Sequence, residues 1–303
     1  MDHDDPLDFE DDTMEALTLH EHTAREEILE WRGKEAGPLQ SVLSALQEKT
    51  GAAVKWATPP VARDTVQSAI QGGLEMMQDA SRWTFRTSKV LQKAREEGLE
   101  AGQVADLAEA PLSALDKISK SCHAPNKLLA AGEGGICGAG GPEGAAADLP
   151  LLFGITFRGV QQVGTCYGFD MTDPDVKPAL LSLVNLGAGA SSAAKARTLV
   201  DLHVAAEAFA KRWTYQKVAE RTATGTAAKT LKQMTQRLPK RIAHKVTKQK
   251  IAQSLPIVGA AIGAGFNYQF VSNTLRAARM AFRTLYLSRK YRGGPDAPAL
   301  PAG

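Results

Sequence analysis

The sequence predicts an all-α protein, and three observations carry that expectation. Alanine is abundant and aromatics make up only 6% of the chain, which suits close packing of helices with small side chains. Apolar residues recur at three- and four-residue steps through most of the 303 positions, the period of a helix with one buried face. Long runs of Val, Ile and Thr, the mark of strands, are missing. The expected architecture is a multi-helix bundle with a Gly/Ala-rich internal segment and a C-terminal glycine-spaced apolar helix. One helical domain is expected over residues 14–292, with residues 1–13 a disordered acidic N-terminus and residues 293–303 a disordered tail.

In chain order, Asp12 or Thr13 can cap a first helix through Ile28, Leu29 and Trp31 that stops at Gly33. Pro38 suits the first turn of a helix to Lys49. After Pro59-Pro60, Val61, Val66, Ile70, Leu74 and Met77 share a face. The pattern resumes near Ser81, takes Trp83, Phe85, Val90 and Leu91 into the core, and ends before Gly98. Pro111 to Cys122 reads as a helix on Leu112, Leu115 and Ile118. Ala131 to Ala147 is low in complexity, and ordered small-residue packing is expected there in preference to a linker. Asp148 is expected to cap the next helix, with Pro150 in its first turn and Gly168 at its end. Helices from Asp173 to Leu186 and from Ala193 to Arg221 follow, then two split by Pro239.

The last of these leads into LPIVGAAIGAGF, residues 255–266. Gly259 and Gly263 have G-x-x-x-G spacing, which lets a neighbouring backbone approach one helix face. Gly263→Leu is therefore expected to destabilise the fold by overpacking. Gly259, Gly263, Gly265 and Phe266 are the candidate helix-packing or membrane-contact residues. The run is roughly 12 residues, short of the about 20 that cross a bilayer. Beyond it, Leu275, Ala278, Phe282, Leu285 and Tyr286 mark an amphipathic helix with Arg276, Arg279, Arg283, Arg289 and Lys290 on other faces.

These stretches resemble the EcsC protein family. The Lys-rich helix, LPIVGAAIGAGFNYQF and the Arg-rich helix with its AARMAFR core look like that family's C-terminal signature. AAGEGGICGAGGPEGAAAD followed by LPLLFGITFRGVQQVGTCYGFD resembles its glycine-rich segment and next helix, and EEILEWRG its opening helix. The resemblance runs from about Met14 to Arg292. It implies a mostly helical bacterial protein associated with a membrane or a transporter, since the family takes its name from a gene beside an ABC transporter. It implies no catalytic residues.

Net charge is +3, but residues 1–50 hold 14 acids against 4 bases and residues 201–250 hold 12 bases against 3 acids. No Asp or Glu occurs from Arg221 to Pro295. Lys229, Lys232, Arg237, Lys240, Arg241, Lys245, Lys248 and Lys250 fall within that stretch and are the candidate anion- or lipid-binding residues. Leu231, Met234, Leu238, Ile242, Val246 and Ile251 recur between them. Like charges so dense repel one another unless an anion is near. Basic clusters of this kind bind anionic lipid at about 1 kcal/mol per residue. The competing expectation is intramolecular: the acidic front of the chain lies against its basic end.

Enzymatic signatures are weak. Gly132 to Gly144 lacks the P-loop and dinucleotide patterns and a preceding strand. Asp170, Asp173 and Asp175 lack the glycine and glutamate of a calcium loop. His203 is followed by Val204, so no H-E-x-x-H zinc site exists. Cys166 and His203 form a nucleophile–base pair only by coincidence of composition, and G-x-S-x-G is absent. Cys122, Cys137 and Cys166 have no metal spacing and read as small core residues in a reducing compartment. The acidic start is unlike a signal peptide. The expectation is a non-enzymatic, cytoplasmic helical protein, peripheral on the inner face of the membrane, with no cofactor and no metal. Its partner is an anionic membrane surface or a membrane protein. Oligomeric state is open. The alternatives are a hydrolase-type enzyme with an unrecognised site, for which Asp148, Arg158, Tyr167, Asp170 and Asn267 would be examined first, or a weak nucleic-acid binder lacking any known recognition motif.

Overall fold

A computed structural model describes residues 5–34, 86–139, 141–171, 177–187, 191–210 and 259–292. These form α1 (Asp11–Ala16), α2 (Leu19–Gly33), α3 (Thr87–Glu96), a 3-10 turn (Val104–Glu109), α4 (Leu112–Ala139), α5 (Gly141–Cys166), α6 (Lys177–Gly187), α7 (Ser192–Ala210) and α8 (Gly259–Arg292). No strand occurs among the described residues, so the protein is all-α as expected. The helices expected over residues 38–49, 61–85 and 211–254, and the tail, lie outside the described residues.

The bundle is built around α8. Its 34 residues extend about 51 Å and pack chiefly on α4, α5 and α6, with α2 and α7 beside them. The sequence reading divided this stretch into an apolar run and a separate amphipathic helix. The structure makes it one helix, since nothing between Phe266 and Leu275 breaks the backbone pattern. Every residue from Ala281 to Ser288 is buried. Over that segment the helix has no solvated face, which corrects the amphipathic reading there, while Asn273 and Arg276 keep an exposed face in the turns before it.

Close approach of the neighbours depends on missing side chains. A Cβ at Gly187 would run into Thr274, one at Gly159 would lie 2.6 Å from Leu275 Cδ2, and one at Gly164 would lie 2.7 Å from Phe282. Phe153 meets Phe270 edge-on at 6.1 Å between centroids, and Tyr167 stacks on Phe282 at 6.4 Å. The core that results includes Ile28, Leu115, Ile118, Leu152, Val160, Val163, Leu180, Val184, Leu199, Val271 and Leu287.

Several boundaries differ from expectation. The first helix is two. Thr18 ends the chain's short α1 approach and caps α2: its hydroxyl accepts from Glu21 N while the Glu21 carboxylate accepts from Thr18 N, a capping box. Residues 5–13 make defined contacts with the bundle: Leu7 is buried and Asp5 pairs with Arg32 at 2.6 Å. Phe9 also packs on Tyr291 at 6.1 Å between ring centres, and Arg25 Nε donates to the Leu7 carbonyl at 3.2 Å. The helix from Pro111 does not stop at Cys122 but passes through Pro125 to Ala139. An interior proline costs about 3 kcal/mol, and packing of α4 along α8 and α5 outweighs it. The Gly/Ala-rich stretch is helical on both sides of residue 140, ending α4 and opening α5. The stops at Gly98 (φ +83) and Gly168 (φ +81) fall where the sequence places them, because both need the left-handed conformation that glycine tolerates.

Candidate functional site

The chemically richest region is a buried ionic cluster where α2, α4, α8 and the end of α5 meet. Four residues apart on α8, Arg279 and Arg283 point the same way. Arg283 is 1% exposed. Its Nε donates to Asp116 Oδ1 at 2.7 Å, Nη2 donates to Asp116 Oδ2, and Nη1 donates to Glu27 Oε2 at 2.5 Å. The Tyr167 hydroxyl donates to Asp116 Oδ1 at 2.6 Å. Arg279 Nε reaches the same oxygen at 3.4 Å. His20 Nε2 lies 2.8 Å from Asp116 Oδ2. An ionised carboxylate only accepts, so that ring nitrogen carries the hydrogen.

The electrostatics lock these groups in fixed protonation states. Burial alone would push the Asp116 carboxyl up, but the hydrogen bonds and charge of Arg283, then Tyr167 and Arg279, hold it well below the usual carboxylate range. Burial and the neighbouring Asp116 charge push the Tyr167 phenol well above its ordinary value. Burial works against the Arg283 cation, and Asp116 more than restores it. A proton-transfer group works best with a pKa near neutrality; Asp116 and Tyr167 are driven away from it in opposite directions. The arrangement therefore fixes α8 against α2 and α4.

A second set of partners engages the end of α8. Lys290 Nζ donates to Glu21 Oε1 at 2.7 Å and the Tyr291 hydroxyl donates to Glu21 Oε2 at 2.8 Å. Burial opposes the Glu21 charge, yet Lys290, Thr18 and Tyr291 bring its carboxyl down to about 2. Arg289 donates to the Ala108 carbonyl at 2.5 Å and lies 5.7 Å from the ring centres of Phe169 and Tyr286. Arg276, by contrast, is exposed. Of the cations read as filling other faces of this helix, Arg283 is buried, Arg279 and Arg289 are half-buried, and Arg276 and Lys290 are exposed; Glu21, Glu27 and Asp116 pair with Arg279, Arg283 and Lys290.

At the other end of α8, Asn267 is fully buried and its Nδ2 donates to Asp148 Oδ1 at 3.0 Å and Oδ2 at 2.8 Å. Asn267 thus has the partner a buried amide needs, whereas the adjacent Tyr268 is 40% exposed. Asp148 is not a cap, because α5 begins at Gly141, well before it. The set Asp148, Arg158, Tyr167 and Asp170 does not converge: Asp148 faces Asn267, Tyr167 faces Asp116, and Asp170 is exposed. Cys166 and His203 are also apart in function, with Cys166 Sγ against Cys122 Sγ at 3.9 Å and His203 Nδ1 against Ser288 Oγ at 3.2 Å.

Lys229, Lys232, Arg237, Lys240, Arg241, Lys245, Lys248 and Lys250 lie outside the described residues. Gly259 and Gly263 fall in the first turns of α8, and their surroundings lie outside them too. A Cβ at Gly265 would meet nothing within 4 Å, while Phe266 is buried and stacks on Phe270 at 5.9 Å. Among the described residues no group of His, Cys, Asp or Glu could hold a metal ion. Asp116 and Glu27 were not singled out from sequence. The available signal was Asp116 itself, which stands four residues after Leu112 on the apolar face of its helix.

A helical bundle whose long C-terminal helix is threaded through the core and tied by a buried Arg–Asp pair defines the class of protein. The chain belongs to the EcsC protein family, whose sequence model matches residues 22–287. Over 107 residues it is 28% identical to "Uncharacterized protein YdbA" of Bacillus subtilis (strain 168), a match that covers 35% of this chain and 38% of that protein. No solved structure matches.

Proposed function

We propose that this protein is a non-enzymatic peripheral component that docks reversibly on an anionic membrane surface, through the basic run Lys229 to Lys250 and the adjoining start of α8. The observation that carries this reading is where large apolar side chains reach solvent. Leu128 and Ile136 are 68% and 74% exposed, and Leu129, Leu151 and Tyr268 are exposed as well. A sixth, Leu19 at the start of α2, is 85% exposed and stands apart from them. The five belong to the end of the bundle where α4, α5 and the first turns of α8 meet. Lys127 Nζ sits 5.8 Å over the Tyr268 ring there, a cation and an aromatic of the kind that suits a membrane interface. The basic run enters α8 at this same end, only nine positions after Lys250.

Apolar contact and basic charge together are the two signals that reversible membrane attachment needs. No described helix is long and apolar enough to cross a membrane. Glu21, Glu27 and Asp116 pair with Arg279, Arg283 and Lys290 of α8, so these three acids are engaged inside the bundle. The inner leaflet of a bacterial membrane, or a membrane protein seated in it, is the surface of matching charge.

The test is co-sedimentation of the full chain with phosphatidylglycerol-rich and with neutral phosphatidylcholine vesicles at low and high salt. Binding to the anionic vesicles that weakens with salt is expected. Replacing Lys240, Arg241, Lys245 and Lys248 by Gln should weaken it by about tenfold or more, as roughly 1 kcal/mol per basic residue implies. Unchanged binding in that variant rejects the role of the run. Equal binding to a DNA duplex would favour nucleic-acid recognition instead.

A further inference from the structure

The α4–α5 contact contains a pair of thiols that the docking role does not use. Cys122 on α4 and Cys166 on α5 are 44 residues apart in sequence, and their sulfurs are 3.9 Å apart. Both side chains are free thiols. Cys166 is wholly buried and Cys122 nearly so. Cys122 lies next to Ser121, whose hydroxyl accepts from Lys93 Nζ at 2.7 Å; Ser121 is at the surface. Cys137 is half-buried and lies 15 positions further along α4, about 22 Å from Cys122 along the helix axis.

We propose that Cys122 and Cys166 are an oxidation site, a dithiol that hydrogen peroxide converts into a disulfide joining α4 to α5. Closing the bond needs the sulfurs to approach to about 2.05 Å, a movement of less than about 2 Å that side-chain rotation and slight helix shift can supply. Cys122 is the attacking sulfur because the surface and the Lys93 cation lie on its side. The Cys166 thiol donating to it, with Lys93 and Ser121 near, pulls Cys122 down to about 7, while Cys122 and burial push Cys166 up; the pair thus favours one thiolate beside one thiol.

The chemistry balances without a cofactor. The Cys122 thiolate attacks one peroxide oxygen, the O–O bond breaks, and the departing hydroxide takes a proton to become water. This leaves a sulfenic acid. Cys166 loses its proton and attacks that sulfur; the S–O bond breaks and the oxygen leaves as a second water. Two thiols are oxidised by two electrons and one peroxide is reduced to two waters. A cellular dithiol reverses the reaction by exchange. The product would staple the two helices that flank α8 and close the loop containing the Gly/Ala-rich segment, next to the apolar end.

The test is native full-length protein treated with hydrogen peroxide, its remaining thiols blocked with N-ethylmaleimide, then digestion and mass spectrometry without reduction. A peptide pair linked through Cys122 and Cys166, two hydrogens lighter than the sum of its parts, is expected while far-UV circular dichroism stays native. Dithiothreitol should remove it, and oxidation should raise the thermal midpoint by several degrees. Cys166→Ser should leave a sulfenic acid on Cys122 that dimedone captures, and Cys137→Ser should change nothing. Recovery of both wild-type thiols as maleimide adducts after peroxide overturns the proposal. So does a linkage that uses Cys137, or one that appears only after the circular dichroism is lost. Vesicle binding plays no part in these readouts.

Discussion

The two halves of α8 solve opposite problems. Its second half, from Arg279 onward, meets three of its cations with partners brought from far away in sequence: Asp116 and Glu27 for the buried Arg283, Glu21 for Lys290, and the Ala108 carbonyl and Phe169 ring for Arg289. Its first half carries no charged residue before Arg276. There the buried polar pair is Asn267 with Asp148, Gly265 faces open space, and the neighbouring leucines of α4 and α5 are exposed. A single acid-free stretch of sequence therefore contains one part saturated by intramolecular charge and one part that is not. Local charge density says little about a surface until the distant acids have been assigned.

The harshest way to break this contrast is to remove the centre of the saturated half. Asp116→Asn keeps the shape but leaves Arg283 buried beside a neutral group. A loss of about 3–5 kcal/mol is expected, read from the urea midpoint. Adding Arg283→Met should recover much of it, since an apolar isostere often replaces a buried ion pair without penalty. A single variant that loses less than about 1 kcal/mol would mean that the pair behaves as a surface salt bridge.

Glycine substitutions sharpen the same contrast at smaller scale. Gly164→Ala should cost about 1–3 kcal/mol, because its methyl would lie 2.7 Å from Phe282 in the second half of α8. Gly265→Ala adds a methyl to open space and should stabilise α8 by about 0.5–1 kcal/mol. Equal thermal midpoints for the two variants would erase the distinction between the halves.

The smallest effect concerns acid. His123 is held down to about 4 by burial and by Lys127, Arg279 and Lys120, so it is neutral in the fold and protonates more easily when unfolded. Its contribution is present above the ordinary histidine range and is lost as pH falls from about 6.5 to 4. Stability should drop by on the order of 1–2 kcal/mol between pH 7 and 5, and His123→Gln should flatten that slope. Asp116 and Glu21, whose carboxyls are lowered in the fold, contribute above the usual carboxylate range. Their share is lost only at lower pH, below about 4. A wild-type curve flat from pH 7 to 5 would remove His123 from the account.

Much of the fold was readable beforehand, for physical reasons that differ by element. Helix stops at Gly98 and Gly168 were legible because a positive φ selects glycine locally. Ile28, Trp31, Val90, Leu112, Leu115 and Ile118 were legible as core because they recur at helical spacing. The T-x-x-E of Thr18 and Glu21 was equally local, and reading it would have divided the first helix correctly. The end expected at Cys122 was not legible, since the helix runs on through Pro125, whose local cost is offset by contacts that no window of sequence contains. Arg283 was less legible still. On periodicity alone it reads as a polar position on an amphipathic helix, and its true partners lie 167 and 256 positions away.

By itself, then, the sequence determined the helical class, the glycine stops, the apolar faces and the uneven distribution of charge, all of which depend on residues within a turn or two of one another. Only the tertiary structure decided which charges are spent inside. Packing α2 and α4 against α8 desolvates Arg283, and a desolvated cation must have its anion within hydrogen-bonding reach. That requirement couples residues 27, 116 and 283, and no short-range pattern encodes it.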